Sequence, residues 1–120
     1  MIEVTKLEAE SKVKEGGLVY ICWTTDGCPS CEHFEETLDS ISTELPEWKF
    51  FKVDVEFGSP DLIFEPGMYP TSFIFKEGLR QSVAVGVTIK KDVIGTLTSI
   101  EQGGFKTIEE QEQAQLDALD

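Results

Sequence analysis

Positive charge is what this sequence has least of. Ten lysines and arginines stand against 23 aspartates and glutamates, a formal net charge of −13. A chain that negative repels nucleic acid and anionic membrane surfaces. It favours solubility and partners with a basic docking face. Long apolar runs are missing too: no stretch approaches the ~20 apolar residues of a membrane span. Neither nucleic acid nor a membrane is an expected partner. Cysteine is sparse, and three in 120 residues are too few, and too odd in number, for a secreted disulfide framework. Histidine occurs once, as His33. With no second close cysteine pair, Cys28, Cys31 and His33 would offer three ligands where tetrahedral zinc takes four, so no metal is expected. The first fifteen residues mix acidic, basic and apolar types and do not read as a signal peptide. The expected setting is the cytoplasm. No internal repeat or low-complexity segment occurs, and nothing demands an oligomer, so a monomer is expected.

What is present is enough for one domain with a hydrophobic core, since 40% of the 120 residues are hydrophobic. Strand and helix patterns alternate. Ile2-Glu3-Val4 is a short first strand. Lys6 to Glu15, with sparse apolar positions at Leu7, Ala9 and Val13, is a weak helix closed by Gly16-Gly17. Leu18 to Thr24 is nearly all apolar, as in a central strand buried on both faces. Thr24 to Gly27 is a loop. Cys31, Phe34, Leu38, Ile41 and Leu45 then recur at spacings of three and four, one face of a helix that Pro46 ends. Trp48 to Val55 alternates as a strand, with Phe51, Val53 and Val55 on one face and Phe50, Lys52 and Asp54 on the other. Gly58, Pro60 and Pro66 surround Leu62-Ile63-Phe64 and allow at most a short helix. Thr71 to Phe75 and Leu79 to Val85 form a hairpin turned at Lys76-Glu77-Gly78. Ile89, Val93, Leu97 and Ile100 mark a last helix, stopped by Gly103-Gly104. The domain is expected to span residues 1–103. An acidic tail follows over 104–120, where Thr107 and Glu110 fit a capping box for a marginal helix.

One tetrad carries chemistry. Cys28-Pro29-Ser30-Cys31 lies between the central strand and the long helix, where two thiols three positions apart can close and reopen a disulfide ring. If the helix starts at Pro29, Cys28 is its N-cap, and proline suits the first helical position because its missing N–H has no partner there. The free N–H groups of the first turn then face the Cys28 sulfur and favour a thiolate. Cys28 is the expected attacker. Cys31 lies on the buried stripe, which keeps it a thiol until it attacks the mixed disulfide and releases reduced substrate. Asp26 and Glu32 flank the pair, and their charges oppose thiolate formation. His33 lies off the stripe, either as a solvated residue or as one that tunes the site.

On three pieces the chain resembles thioredoxins over about residues 1–103. Cys28-Pro29-Ser30-Cys31 follows a strand ending in Trp23. Tyr69-Pro70-Thr71 opens the later strand. Phe75-Lys76-Glu77-Gly78 and Gly86 match the terminal hairpin and the glycine after it. The resemblance implies a thioredoxin fold: a central mixed β-sheet flanked by helices, three layers α/β/α. It implies catalytic roles for Cys28 and Cys31 and a substrate groove formed by Tyr69, Pro70, Gly86 and Trp23. Pro70 would be cis, exposing the Tyr69 backbone for strand addition by a substrate. Trp23 would pack beneath the site, and Gly86 would permit close approach. Pro29, Ser30, Lys52 and His33 would tune the site. The implied activity is thiol–disulfide oxidoreduction of protein disulfides, with no bound cofactor. A thioredoxin reductase or a small thiol would supply electrons.

Four positions depart from the family pattern. Pro29-Ser30 stands where Gly-Pro is usual, and Gly27 stands where a tryptophan is usual. Cys22 stands where thioredoxins bury an aspartate, with Lys52 at the position of the neighbouring lysine. Two other readings remain open on sequence alone. One is a glutaredoxin-like, glutathione-dependent enzyme, which the Cys-Pro-X-Cys pattern fits. The other is a non-catalytic module whose acidic surface binds a basic partner.

Overall fold

A computed structural model describes residues 1–55 and 69–103. The short helix read between Gly58 and Gly67 and the tail beyond Gly103 lie outside the described residues.

The elements are β1 (Ile2–Glu3), α1 (Lys6–Lys14), β2 (Leu18–Thr25), α2 (Pro29–Glu44), β3 (Trp48–Val55), β4 (Thr71–Lys76), β5 (Leu79–Val85) and α3 (Lys90–Glu101). The strands form one sheet of order β1-β3-β2-β4-β5. β1, β3 and β2 run parallel, and β4 and β5 are antiparallel to their neighbours. The mixed sheet therefore places β2 at its centre, which explains why Leu18 to Thr24 reads as a nearly continuous apolar run.

Strand alternation divides the core in two. Tyr20, Cys22, Trp48, Phe50 and Ile74 face α2 and α3, where they meet Phe34, Leu38, Ile41, Val93, Leu97 and Ile100. Val19, Ile21, Trp23, Phe51, Val53 and Phe73 face the other way and pack with Ala9 of α1. This is the expected three-layer α/β/α arrangement. Each fully buried aliphatic or aromatic side chain contributes roughly 1.5–3 kcal/mol relative to an exposed one. The α2 stripe is therefore a principal anchor of the site that begins this helix.

Element ends show where the sequence pattern misleads. α1 has little apolar patterning, and Leu7 is exposed. It starts instead from a capping box. Thr5 Oγ1 accepts from the Glu8 N–H at 3.1 Å, and the Thr5 N–H donates to Glu8 Oε1 at 3.0 Å. These bonds hold the Glu8 carboxyl below its usual range. β2 runs one residue further than the apolar pattern suggests, because Thr25 still pairs with Val55. Val4 falls outside β1, although its N–H donates to the Lys52 carbonyl at 2.9 Å. Leu45 is the C-cap of α2 rather than its last turn. Ile89 does not join the buried stripe of α3. It is the N-cap of that helix and is 65% exposed, since the chain reaches helical geometry only at Lys90.

The β4–β5 hairpin closes on two residues with positive φ, Glu77 at 52° and Gly78 at 80°. That backbone hand matches the twist of paired strands, and glycine takes it without steric cost. α3 is tied down at both ends. Lys90 Nζ reaches Glu44 Oε1 of α2 at 3.1 Å, and Lys76 Nζ donates to the Ile100 carbonyl at 3.1 Å.

Candidate active site

The site lies at the end of the sheet where β2 stops. Asp26 and Gly27 turn the chain, and Cys28 follows in an extended conformation as the N-cap of α2. Pro29 occupies the first turn of the helix. Cys28 and Cys31 are joined as a disulfide with their Cα atoms 5.3 Å apart. The Cys31 N–H donates to Cys28 Sγ at 3.2 Å and also lies 3.1 Å from the Cys28 carbonyl oxygen. Ser30 Oγ lies 3.4 Å from the same sulfur. Cys28 is half-buried, while Cys31 is 2% exposed beside Phe34 and Leu38 on the buried stripe. The two cysteines are thus inequivalent. One sulfur caps a helix N-terminus at the surface, and the other sits against the core.

Tyr69 and Pro70 lie at the same end of the sheet, because the next residue, Thr71, pairs with Trp23 of β2. The Tyr69–Pro70 peptide bond is cis, and Pro70 is buried. The Gly86 N–H donates to the Pro70 carbonyl at 2.7 Å. Gly86 has a φ of 85°, with nothing within 4 Å of the place a Cβ would take. Its backbone hand, more than crowding, favours glycine there. Trp23 is 7% exposed and lies on the α1 face, opposite Cys22 and α2, where its ring meets Phe73 edge-on at 5.5 Å. Its indole N–H is buried and makes no hydrogen bond among the described residues.

On the sheet face that packs against α2, a polar row crosses the strands. Lys52 of β3, Cys22 of β2 and Ser72 of β4 stand in register. Ser72 Oγ accepts from the Tyr20 hydroxyl at 2.6 Å. Lys52 Nζ lies 3.0 Å from Glu35 Oε1 and 3.6 Å from Glu3 Oε1. Burial alone would push the Lys52 ammonium down, but the hydrogen bond and charge of Glu35, with help from Glu3, hold it above its ordinary range. Lys52 is therefore neither a free surface lysine nor a partner of a thiolate in this state. The sequence pattern does not single out Glu35 from its acidic neighbours. The available signal is its position one helical turn beyond Cys31. His33, Asp26 and Glu32 are exposed around the dithiol. Among the described residues, no group of three or more His, Cys, Asp or Glu side chains is arranged to hold a metal ion.

Cys22 is a free thiol, fully buried, and burial pushes it from its ordinary value of 9.0 to about 12, with Glu35 adding to the shift. A thiol that resists ionisation in the fold but ionises readily when unfolded stabilises the protein below pH 9.0 and ceases to as pH rises toward about 12. Burial raises the Tyr20 phenol in the same sense. Stability measured by urea unfolding is expected to fall across this alkaline window. It should fall less steeply in Cys22→Ala, with Tyr20 accounting for the remainder. An equally steep fall in that variant would contradict the assignment to Cys22.

No protein-family model matches the sequence, and no curated protein matches it. Solved structures do. The fold is similar to mitochondrial thioredoxin 3 of Saccharomyces cerevisiae in its oxidised form, with a TM-score of 0.71, 20% identity, and coverage of 82% of this chain and 94% of that one. Fasciola hepatica thioredoxin gives a TM-score of 0.71 at 22% identity, covering 82% and 97%. Thioredoxin f2 of Chlamydomonas reinhardtii gives 0.67 at 18%, covering 85% and 96%. The chain has the thioredoxin fold. Within it, a Cys-X-X-Cys pair able to form a disulfide occupies the junction of β2 and α2.

Proposed function

We propose that the chain is a thiol–disulfide oxidoreductase of the thioredoxin-like, protein-disulfide-reducing type. The observation that carries this reading is the inequivalence of the two cysteines. In the reduced protein, the amide that donates to Cys28 Sγ at 3.2 Å would stabilise a thiolate there. That thiolate attacks one sulfur of a substrate disulfide, forming a mixed disulfide and expelling the other sulfur as a thiolate. Cys31 then attacks Cys28 Sγ, breaks the mixed disulfide and expels the second substrate sulfur. The substrate gains two electrons and two protons, and the Cys28–Cys31 dithiol becomes the disulfide.

The surroundings support protein substrates. Tyr69, Pro70 and Gly86 lie at the dithiol end of the sheet, and an extended substrate segment pairing with the Tyr69 backbone would be held there. The acidic flank of Asp26 and Glu32 favours substrates with basic residues near the disulfide. Electrons would return from a thioredoxin reductase or a small thiol, without a bound cofactor. The proposed setting is the cytoplasm, where a lone buried thiol and a reversible pair are at home.

Reduction of insulin disulfides by dithiothreitol tests the reading. The native protein should accelerate it, and the double variant Cys28→Ser/Cys31→Ser should not. Equal rates with the two proteins would overturn the proposal.

A further inference from the structure

β5 forms one edge of the sheet, and the chain leaves it through Gly86 toward α3. Along this path Val83, Val85, Val87 and Ile89 are each between 45% and 65% exposed, with half-buried residues between them. Among the described residues only two other large apolar side chains are exposed, Ile2 and Leu7. The four within one short segment therefore form a strip, not the single scattered residues of an ordinary surface. An edge strand is usually guarded by charge or proline, and between Arg80 and Lys90 there is neither. Ile89 adds a second sign. It is the N-cap of α3 and makes no side-chain capping bond, where serine, threonine, asparagine or aspartate would. The position gives up a cap and keeps an apolar side chain in the strip.

Charge narrows what can cover it. All 23 acidic residues lie outside residues 78–91, a segment that holds Arg80, Lys90 and Lys91. The Arg80 guanidinium lies over the Phe73 ring at 5.3 Å, Lys90 Nζ reaches Glu44 Oε1 at 3.1 Å, and Lys91 is exposed. Asp92 is the first acid beyond. Surface charges act over about 8 Å at physiological salt, so these local bases, more than the net charge of the chain, decide what binds here. A second copy on the strip would set bases against bases and a net −13 against −13. A basic partner would go to the acidic surfaces elsewhere. The strip fits a segment that is both apolar and acidic.

The chain carries such a segment itself. Residues 104–120 hold Glu109, Glu110, Glu112, Asp117 and Asp120 against the single Lys106, interleaved with Phe105, Ile108, Leu116 and Leu119. We propose that this acidic tail binds the Val83–Ile89 strip of its own chain and competes there with protein substrate.

The tail can reach. It departs beyond the end of α3, and the strip ends at Ile89, where the same helix begins. The 12 residues of α3 separate the two points by roughly 18 Å. A chain of this tail's length spans roughly 50 Å when extended, so the distance is no obstacle. Tethering holds the tail near the strip at an effective concentration on the order of millimolar, so a weak contact is enough. Gly86 lies within the strip, and its N–H donates to the Pro70 carbonyl at 2.7 Å. A tail bound there borders the groove formed by Tyr69, Pro70 and Gly86. The competition with substrate rests on the function proposed above; the contact between tail and strip does not.

Hydrogen exchange of the full-length chain, read by mass spectrometry over residues 105–120, tests the contact. In Val87→Ser/Ile89→Ser those amides should exchange at least about fivefold faster than in the native protein. That variant leaves the tail sequence intact, and serine at position 89 is a better helix cap, so the fold is kept. Lys91→Glu, which also suits a helix N-terminus, should speed the same amides by about twofold or more. The amides of α2 should exchange as before in both. Leu116→Ser/Leu119→Ser leaves the strip intact and should lower the KM for insulin at least about threefold, with kcat unchanged. Tail amides that exchange alike in the native protein and both strip variants overturn the proposal. So does a native dimer in sedimentation that Val87→Ser/Ile89→Ser makes monomeric with tail exchange unaltered, since a second copy then covers the strip. Faster tail exchange in the strip variants, with the insulin KM unmoved by Leu116→Ser/Leu119→Ser, overturns the competition with substrate. A native protein that does not reduce insulin sinks the protein-disulfide reading, and hydrogen exchange still decides the contact.

Discussion

Replacing Cys31 by serine will turn the protein into a trap. The Cys28 thiolate keeps its helix N-terminus and still attacks, since the donor to its sulfur is the backbone N–H of residue 31 and not the side chain. The mixed disulfide then has no internal thiol to resolve it, so substrate stays covalently bound through Cys28. Mass spectrometry of Cys31→Ser after incubation with a peptide disulfide should show one peptide attached per chain, released by dithiothreitol. Cys28→Ser should attach none, because Cys31 is buried. Turnover should fall at least about 10³-fold in either variant, as is usual when an attacking or resolving nucleophile is lost. Attachment to Cys28→Ser but not to Cys31→Ser would reverse the two roles.

Phe34→Ala will be among the most destabilising substitutions in the described part of the chain. Phe34 is buried one turn after the N-terminus of α2, packed with Leu38, Val93 and Leu97 in the larger core cluster. Truncation of a buried phenylalanine costs about 3–5 kcal/mol, the lost transfer energy plus a cavity. Total stability in domains of this size is about 5–15 kcal/mol, so about a fifth or more is at stake. The loss acts at the helix that presents both cysteines. Urea unfolding of the oxidised protein should show the drop, while Phe34→Leu, which keeps most of the volume, should cost far less. A Phe34→Ala protein within 1 kcal/mol of native, on the scale of about 1 kcal/mol for ordinary mutations, would mean the stripe does not anchor α2.

The sheet, the helix order and the dithiol were legible because each follows from local chemistry. Pro29 at a helix start and the stripe of Phe34, Leu38 and Ile41 state where α2 begins and which side it buries. The continuous apolar run of β2 states that it is central. Less legible were features that depend on a neighbour in space. Ile89 looks like a core residue at helical spacing, yet the helix begins after it and leaves it in solvent. Leu7 looks like the apolar face of α1, although the helix owes its start to the reciprocal bonds of Thr5 and Glu8. The Glu35–Lys52 pair joins a helix to a strand, and only the register of β3 beside β2 brings them together. No spacing in the chain states that register.

The bond from the Cys31 amide to Cys28 Sγ has a consequence for how this site can vary. The group that activates the attacker belongs to the main chain, and no substitution short of proline at position 31 deletes it. Residues 29, 30, 32 and 33 can therefore drift, shifting potential and partner choice, while the nucleophile keeps its helix turn. Variation between the cysteines adjusts the instrument without dismantling it, so new specificities can arise in a chain like this one by single changes that leave its reaction intact.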